Sequence, residues 1–245
     1  MKSRRAGTPI TVGRARQISV IIRPVTFNDQ FPAAVSWYNL DFRLREGHQL
    51  ESDDLGFIDQ LVQEALACGT TLPTGFRLYR ARFNEDTDAE PHPPSEMGMP
   101  PAHKTRHQRI SPKGVACLYA SYEVETALHE MRPCPKSRLT VVTLQATAGL
   151  NVLDLRYTHM EGKSPALRQA AYMISRPVDR DDEFRYAATQ RLGQGLKAAG
   201  AAGLLYASML KPDGTNVAMF NESSIKRTGS VLYEITGVDY TFKRL

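Results

Sequence analysis

Three segments of the chain carry the side chains with the clearest chemical potential. Arg80 lies in YRAR at 79–82, Arg109 opens RISPKG at 109–114, and Glu130 ends ETALHE at 125–130. A planar guanidinium grips a phosphate through paired hydrogen bonds, and a carboxylate stabilises positive charge that develops in a transition state. These residues are therefore candidates for binding a phosphate-bearing substrate and for stabilising a cationic centre.

Two further segments add aromatic, hydroxyl and amide groups. Tyr119 closes the apolar run VACLY at 115–119. The other segment, at 203–220, contains both Ser208, which follows GLLYA at 203–207, and Asn216, which lies in the run TNVAMF at 215–220. An aromatic face can stack on a planar ring, and a hydroxyl can hydrogen-bond a sugar or an amide. Taken singly, such residues usually serve the core or a turn, as arginines usually serve surface ion pairs. The functional interpretation depends on all five segments occurring together in one chain.

Other common chemistries lack a motif here. The six histidines are scattered, the three cysteines form no C-x-x-C pair, and the chain contains no G-x-G-x-x-G, no G-x-x-x-x-G-K-[ST] and no G-x-S-x-G. Zinc, Rossmann, P-loop and α/β-hydrolase chemistry therefore have no local support, and we expect no metal cofactor. Ser208 and His129 leave nucleophilic serine catalysis open, although no residue near them completes a triad.

The order and the local sequences of the five segments resemble those of the RES domain family, which is named for an arginine, a glutamate and a serine. The resemblance covers about residues 76–242. It implies an enzyme with an ADP-ribosyltransferase-like fold that consumes NAD+ as a substrate rather than as a redox carrier. Many members of the family are toxins of toxin–antitoxin pairs, so a cognate antitoxin and a protein target are open as partners.

The resemblance assigns a role to each arginine and to the glutamate. Arg80 and Arg109 would clamp the pyrophosphate of NAD+, and Arg109 would also act in catalysis. Glu130 would stabilise the oxocarbenium-like ribose as nicotinamide leaves. The acceptor of ADP-ribose stays open between water, inorganic phosphate and a protein side chain. One departure from the family pattern is a proline-rich insertion between the two arginines.

The remaining assignments concern the stacking and hydrogen-bonding groups. Tyr119 would stack on the nicotinamide, and Ser208 would act in catalysis and hydrogen-bond ribose or amide, with Asn216 also in the cofactor site. Ser208 is followed by Met209, Leu210 and Lys211, where the family pattern has small residues and an arginine.

An α+β fold must position these residues. Apolar residues at helical spacing between Leu55 and Leu66 predict a helix within a helical region at 24–74. The segment LPTG at 72–75 predicts a linker, and the catalytic domain would then occupy 75–245. We predict an ADP-ribosyltransferase-like mixed sheet with strands at 76–82, 115–119, 139–147, 151–155, 204–206, 216–220 and 231–235. Helices are predicted at 121–131, with Ser121 as N-cap, and at 181–199.

The prolines at 91, 93, 94, 100 and 101 predict a long loop, mobile enough to gate access to the site. Its position between the two arginines is the reason for this expectation.

Composition and charge narrow the class of protein. In 245 residues, 42% are hydrophobic and 23% charged, which is typical of a globular protein. Five basic residues and no acidic one lie in 1–16, and the other 26 of the 31 basic residues equal the 26 acidic ones. We therefore predict a basic tail over 1–23, a cytoplasmic protein without a membrane segment, and no direct role for nucleic acid. The alternative is a non-catalytic regulatory or nucleic-acid-binding protein that uses this tail.

Overall fold

The computed structural model describes residues 32–85, 88–176 and 186–239. Within these ranges the fold is α+β, as predicted, with five helices and eight strands. The predicted basic tail lies outside the described residues. The helices are α1 (Pro32–Arg45), α2 (Ser52–Leu66), α3 (Val124–Glu130), α4 (Pro165–Ser175) and α5 (Ala187–Ala198). The strands are β1 (Gly69–Leu72), β2 (Arg77–Phe83), β3 (Leu118–Ser121), β4 (Arg138–Ala146), β5 (Leu150–Asp154), β6 (Gly203–Ala207), β7 (Thr215–Met219) and β8 (Ile225–Glu234).

The eight strands form one mixed sheet in the order β1-β5-β6-β7-β3-β2-β4-β8. The β5–β6 pair is parallel and the other described pairs are antiparallel. β2 pairs with β4 along its whole length, but it meets β3 only where Tyr79 lies opposite Ser121. The sheet therefore consists of two blocks that part from each other between β2 and β3.

Two apolar cores cover the two faces of the sheet. On one face, α1, α2, α4 and α5 bury Trp37, Leu61, Leu155 and Ile174 against β5 and β6, and we call this the helix-side core. The second core contains Leu78, Leu118, Leu144, Val217 and Met97. α1 and α2, which belong to the predicted helical region, thus pack into the same core as the sheet, and the described residues lie in one compact unit that begins at Pro32.

The start of α3 differs from the prediction. Ser121 does not cap this helix, because it is the last residue of β3 and its hydroxyl donates to the Asn216 side chain. The helix begins at Val124, with Glu123 at the N-cap and no side-chain cap. The strand predicted at 115–119 accordingly lies at 118–121.

α4 was not predicted, although the sequence carries a signal for it. Ser164 is the N-cap, its Oγ accepts from the backbone N–H of Leu167, and Pro165 occupies the first helical turn. Leu167, Ala170 and Ile174 then repeat at helical spacing and are buried. α5 was predicted at 181–199, and residues 181–185 of that prediction lie outside the described residues. α5 ends just before Gly200, which has a φ of 86°.

The proline-rich segment is anchored rather than free. Single 3-10 turns occur at Pro94–Glu96 and Ala102–Lys104, and Met97 is buried in the second core. The Arg227 guanidinium donates to the Ser95 carbonyl, and the Met99 N–H donates to the Glu222 carboxylate. These contacts favour a proline-rich segment that is held in place, rather than the mobile loop gating access to the site that the prolines suggested.

Candidate active site

A cleft of about 880 Å³ opens where β2 and β3 part. Residues 79–82 of β2 and 119–121 of β3 line it, together with Glu130 at the end of α3 and several residues of the proline-rich segment. A sheet that splits between two strands leaves backbone groups without ladder partners. The cleft therefore combines open backbone groups with side chains from both blocks of the sheet.

The half-buried Glu130 carboxylate is the centre of a hydrogen-bond network. Its Oε1 accepts from Ser208 Oγ and from Asn216 Nδ2, both at 2.7 Å. Ser208 Oγ in turn accepts from the N–H groups of Leu210 and Lys211, so the proton that it donates is the one directed at Glu130. Within the described chain, Oε2 makes no hydrogen bond. One carboxylate oxygen is thus fixed and the other is available to a ligand.

A close approach of backbone to helix brings Ser208 to α3. The Ser208 N–H donates to the Gly214 carbonyl, which closes the turn at 208–214. A Cβ at Gly214 would lie 2.8 Å from Thr126 Oγ1 on α3. The glycine therefore lets the turn pack directly against the helix that carries Glu130.

Arg80 bridges the gap between the two strands. Its Nη1 donates to the Tyr119 carbonyl at 2.9 Å, at a position where β2 and β3 no longer form ladder bonds. Burial lowers the pKa of Arg80 and the nearby charge of Arg82 lowers it further, from an ordinary value far above neutral pH that leaves the group charged. Arg80 is thus a cation held in place at the mouth of the split.

Further charged side chains line the same cleft. Arg82, Lys104 and Arg227 are cationic, and Glu96 joins Glu130 as the second acidic residue of the lining. Arg227 pairs with Glu222, whereas the side chains of Arg82 and Lys104 make no hydrogen bond or ion pair with any residue that the structure describes. The lining therefore has an excess of positive charge, as expected for an anionic ligand.

Tyr119 lines the cleft but also has a structural task. Its hydroxyl accepts from the Ile110 N–H at 3.0 Å and lies 3.2 Å from Ser111 Oγ, and its ring packs against the helix-side core. Burial raises the pKa of Tyr119 well above its ordinary value, so it remains a neutral phenol. The tyrosine thereby fastens the turn that Arg109 opens.

Arg109 does not belong to the described lining of the cleft. Its Nη1 donates to the Ile174 and Arg176 carbonyls, at 2.7 and 2.6 Å, just where α4 ends. Its guanidinium carbon lies 5.5 Å from the centre of the Tyr186 ring and 5.6 Å from that of Tyr206. Since Tyr206 does line the cleft, Arg109 lies next to the site and supports it from behind this ring.

The structure thus brings together Glu130, Ser208 and Asn216 by direct hydrogen bonds, and it places Arg80 and Tyr119 in the same cleft. Sequence reasoning missed Arg82, Lys104, Arg227, Tyr206 and Ser121 as lining residues. Arg82 could have been found from the sequence, because it lies two residues after Arg80 on the same strand, and residues i and i+2 of a strand share a face. The others come from distant segments, and their spacing in the sequence gives no indication of the cleft.

In residues 32–85, 88–176 and 186–239, no cluster of three or more histidine, cysteine or carboxylate side chains is arranged to hold a metal ion. Over those same ranges, no helix has both the length and the apolar character needed to cross a bilayer.

Comparison with known proteins identifies the family. The RES domain model matches residues 77–228, and the chain therefore belongs to the RES domain family. Among solved structures, a chain of the M. tuberculosis MbcT–MbcA toxin–antitoxin complex is similar at 17% sequence identity and a TM-score of 0.45, covering 71% of this chain and 92% of that chain. The search of curated proteins gave no match.

Proposed function

We propose that the protein is an enzyme that consumes NAD+, cleaving the bond between nicotinamide and ribose and transferring ADP-ribose to an acceptor. The observation that carries this proposal is the Glu130 carboxylate, which lines a large cationic cleft with one oxygen fixed by Ser208 and Asn216 and the other unbound in the described structure. Membership of the RES domain family supports NAD+ as the substrate class.

The proposed reaction places Glu130 beside the ribose. The bond from ribose C1′ to the nicotinamide nitrogen breaks, and nicotinamide leaves as a neutral molecule with the electron pair of that bond. The ribose becomes oxocarbenium-like, and the negative charge of Glu130 stabilises it as glycosidase carboxylates do. A nucleophile then forms a bond to C1′ and loses its proton. In this scheme Ser208 and Asn216 orient the carboxylate.

The cationic side chains would hold the pyrophosphate. Arg80 and Arg82 lie two residues apart on β2 and both line the cleft, so they share a strand face and can each reach a phosphate. The described lining contains four cationic and two acidic residues, and this excess of two positive charges suits the two negative charges of a pyrophosphate. Arg109 then supports the cleft through the end of α4 and Tyr206, and Tyr119 or Tyr206 offers an aromatic surface.

Partners follow from the same proposal. A toxin-like enzyme of this kind would need a cognate antitoxin to cover the cleft, and a protein target is one of three acceptors, beside water and inorganic phosphate. Our proposal places the protein in the cytoplasm, where NAD+ is present, and assigns no metal and no direct nucleic-acid contact to the reaction.

The test is incubation of the purified protein with NAD+ in three arms, which are phosphate-free buffer, phosphate-containing buffer and buffer with added protein extract. Nicotinamide and the ribosyl product are measured in each. Free ADP-ribose would indicate hydrolysis, and a phosphorylated ADP-ribose would indicate phosphorolysis. ADP-ribose attached to proteins of an added extract would indicate a transferase. Absence of nicotinamide release in all three arms would contradict the proposal and favour the non-catalytic alternative.

A further inference from the structure

Ser121 occupies the junction of three strands at the head of the cleft. It is the last residue of β3, it lies opposite Asn216 of β7, and it is the point at which β3 meets Tyr79 of β2. Its side chain lines the cleft and is only 3% exposed. Because Ser121 does not cap α3, its buried hydroxyl requires another explanation.

The hydroxyl begins a directed chain of hydrogen bonds. Ser121 Oγ donates to Asn216 Oδ1 at 2.7 Å, and Asn216 Nδ2 donates to Glu130 Oε1 at 2.7 Å. The two ends of an amide have the same shape, so its partners decide which end points where. An ionised carboxylate can only accept, so the NH2 of Asn216 must face Glu130. The amide oxygen then faces Ser121, which must be the donor.

We propose that Ser121 is a positioning residue for the reaction at Glu130, because it holds the Asn216 amide in the orientation that donates to the carboxylate. This inference rests on the proposed function of Glu130. Without the hydroxyl, the buried amide oxygen of Asn216 has no donor, and rotation of the amide would turn that oxygen toward the negative carboxylate. Glu130 would then be held by Ser208 alone.

Ser121 and Ser208 should differ in a predictable way. Ser208 donates directly to Glu130, whereas Ser121 acts through Asn216. Removal of Ser121 should therefore have no effect of its own once Asn216 is gone, and a double-mutant cycle isolates such coupling.

The kinetic test compares Ser121→Ala, Asn216→Ala and the double variant by nicotinamide release. We expect Ser121→Ala to lower kcat about tenfold with KM within about twofold, because one hydrogen bond is lost and no substrate contact is removed. Ser121→Cys should be intermediate, since a thiol is a weak donor. The double variant should equal Asn216→Ala. Independent, multiplying losses in the double variant, or an unchanged kcat in Ser121→Ala, would overturn the proposal.

Thr140 provides a matched control for the loss of a buried hydroxyl. Its Oγ1 donates to Asn84 Oδ1 at 2.7 Å, it is fully buried, and neither residue lines the cleft. Thr140→Val removes this bond and also the acceptor of the His92 N–H, so it should cost at least as much stability while leaving kcat unchanged. Equal losses of kcat in Thr140→Val and Ser121→Ala would mean that Ser121 contributes only to the stability of the fold, and would refute its role in positioning the Asn216 amide.

A second measurement does not depend on turnover. The side-chain amide of Asn216 can be assigned in a ¹H–¹⁵N spectrum by its loss in Asn216→Ala. In Ser121→Ala we expect this resonance to shift and its exchange with solvent to quicken at least about tenfold, because the amide loses a fixed partner. An unchanged resonance overturns the proposal. If the wild-type protein releases no nicotinamide, the proposed function fails, and the amide resonance still decides whether Ser121 orients Asn216.

Discussion

Glu130 lies at an unfavourable position for a carboxylate. It is the last residue of α3, where the helix dipole presents its negative end. The two hydrogen bonds to Oε1 offset this cost, and both come from residues distant in the sequence, Ser208 and Asn216. A carboxylate placed against the dipole and held by donors from distant segments is more easily explained by function than by helix stability.

Arg82 offers a direct test of substrate binding. It lines the cleft without a partner in the described chain, whereas Arg77 on the same strand is exposed and outside the lining. In a Glu130→Gln background that prevents turnover, Arg82→Ala should weaken NAD+ binding about tenfold by calorimetry, since a charge-assisted contact to phosphate is lost. Arg77→Ala should leave the affinity unchanged. Equal effects of the two substitutions would show that the charge of Arg82 acts only through the overall electrostatic potential of the protein and not through a contact with phosphate.

Cys117 predicts a specific loss of stability in alkaline solution. Burial raises the pKa of its thiol from 9.0 to about 12. Below pH 9 the thiol is protonated in both the folded and unfolded states. Between about pH 9 and 12 only the unfolded state releases the proton, so the free energy of unfolding falls by up to about 1.4 kcal/mol per pH unit.

Urea unfolding between pH 8 and pH 10 measures this slope. The decline should be shallower in Cys117→Ala than in the wild type, whatever the absolute stability of the variant. Identical slopes would mean that the thiol does not contribute, and that buried tyrosines such as Tyr206 account for the whole decline.

At the scale of elements, the contact between the 208–214 turn and α3 brings the site together. Gly214→Ala should push this turn away from Thr126, lengthen the Ser208–Glu130 bond and lower nicotinamide release about tenfold, with most of the fold retained. Gly229→Ala in β8 is the control, because no atom lies within 4 Å of its added Cβ. The same activity in both variants would contradict the positioning role of the turn.

The elements also show what the sequence can and cannot predict. Helical spacing and caps predicted α2, and the family segments predicted that Arg80, Tyr119, Glu130 and Asn216 would share a site. The split between β2 and β3 was not predictable, because it depends on strand order and register rather than on local pattern. Ser121 illustrates the difference. Beside an acidic segment its hydroxyl resembles an N-cap, but its cross-strand neighbour decides its true partner.

At the scale of the whole molecule, the described residues that line the cleft all lie between Tyr79 and Arg227. Deletion of residues 1–16 should therefore leave nicotinamide release unchanged. Deletion of residues 1–50 should abolish folding, because it removes α1, whose Trp37 and Leu40 are buried in the helix-side core. Circular dichroism and nicotinamide release on both truncations test this. A folded, active protein without residues 1–50 would show that α1 is dispensable.

In the proposed reaction, the Glu130 carboxylate carries the chemistry. Glu130→Gln keeps an oxygen that accepts from Ser208 and Asn216, so the variant should fold with a Tm close to that of the wild type. The decisive measurement is the rate of nicotinamide release from NAD+ by wild type and Glu130→Gln side by side. We expect a loss of at least about a hundredfold, the scale of a missing electrostatic partner in the transition state. Turnover near the wild-type rate in a well-folded Glu130→Gln protein would contradict it.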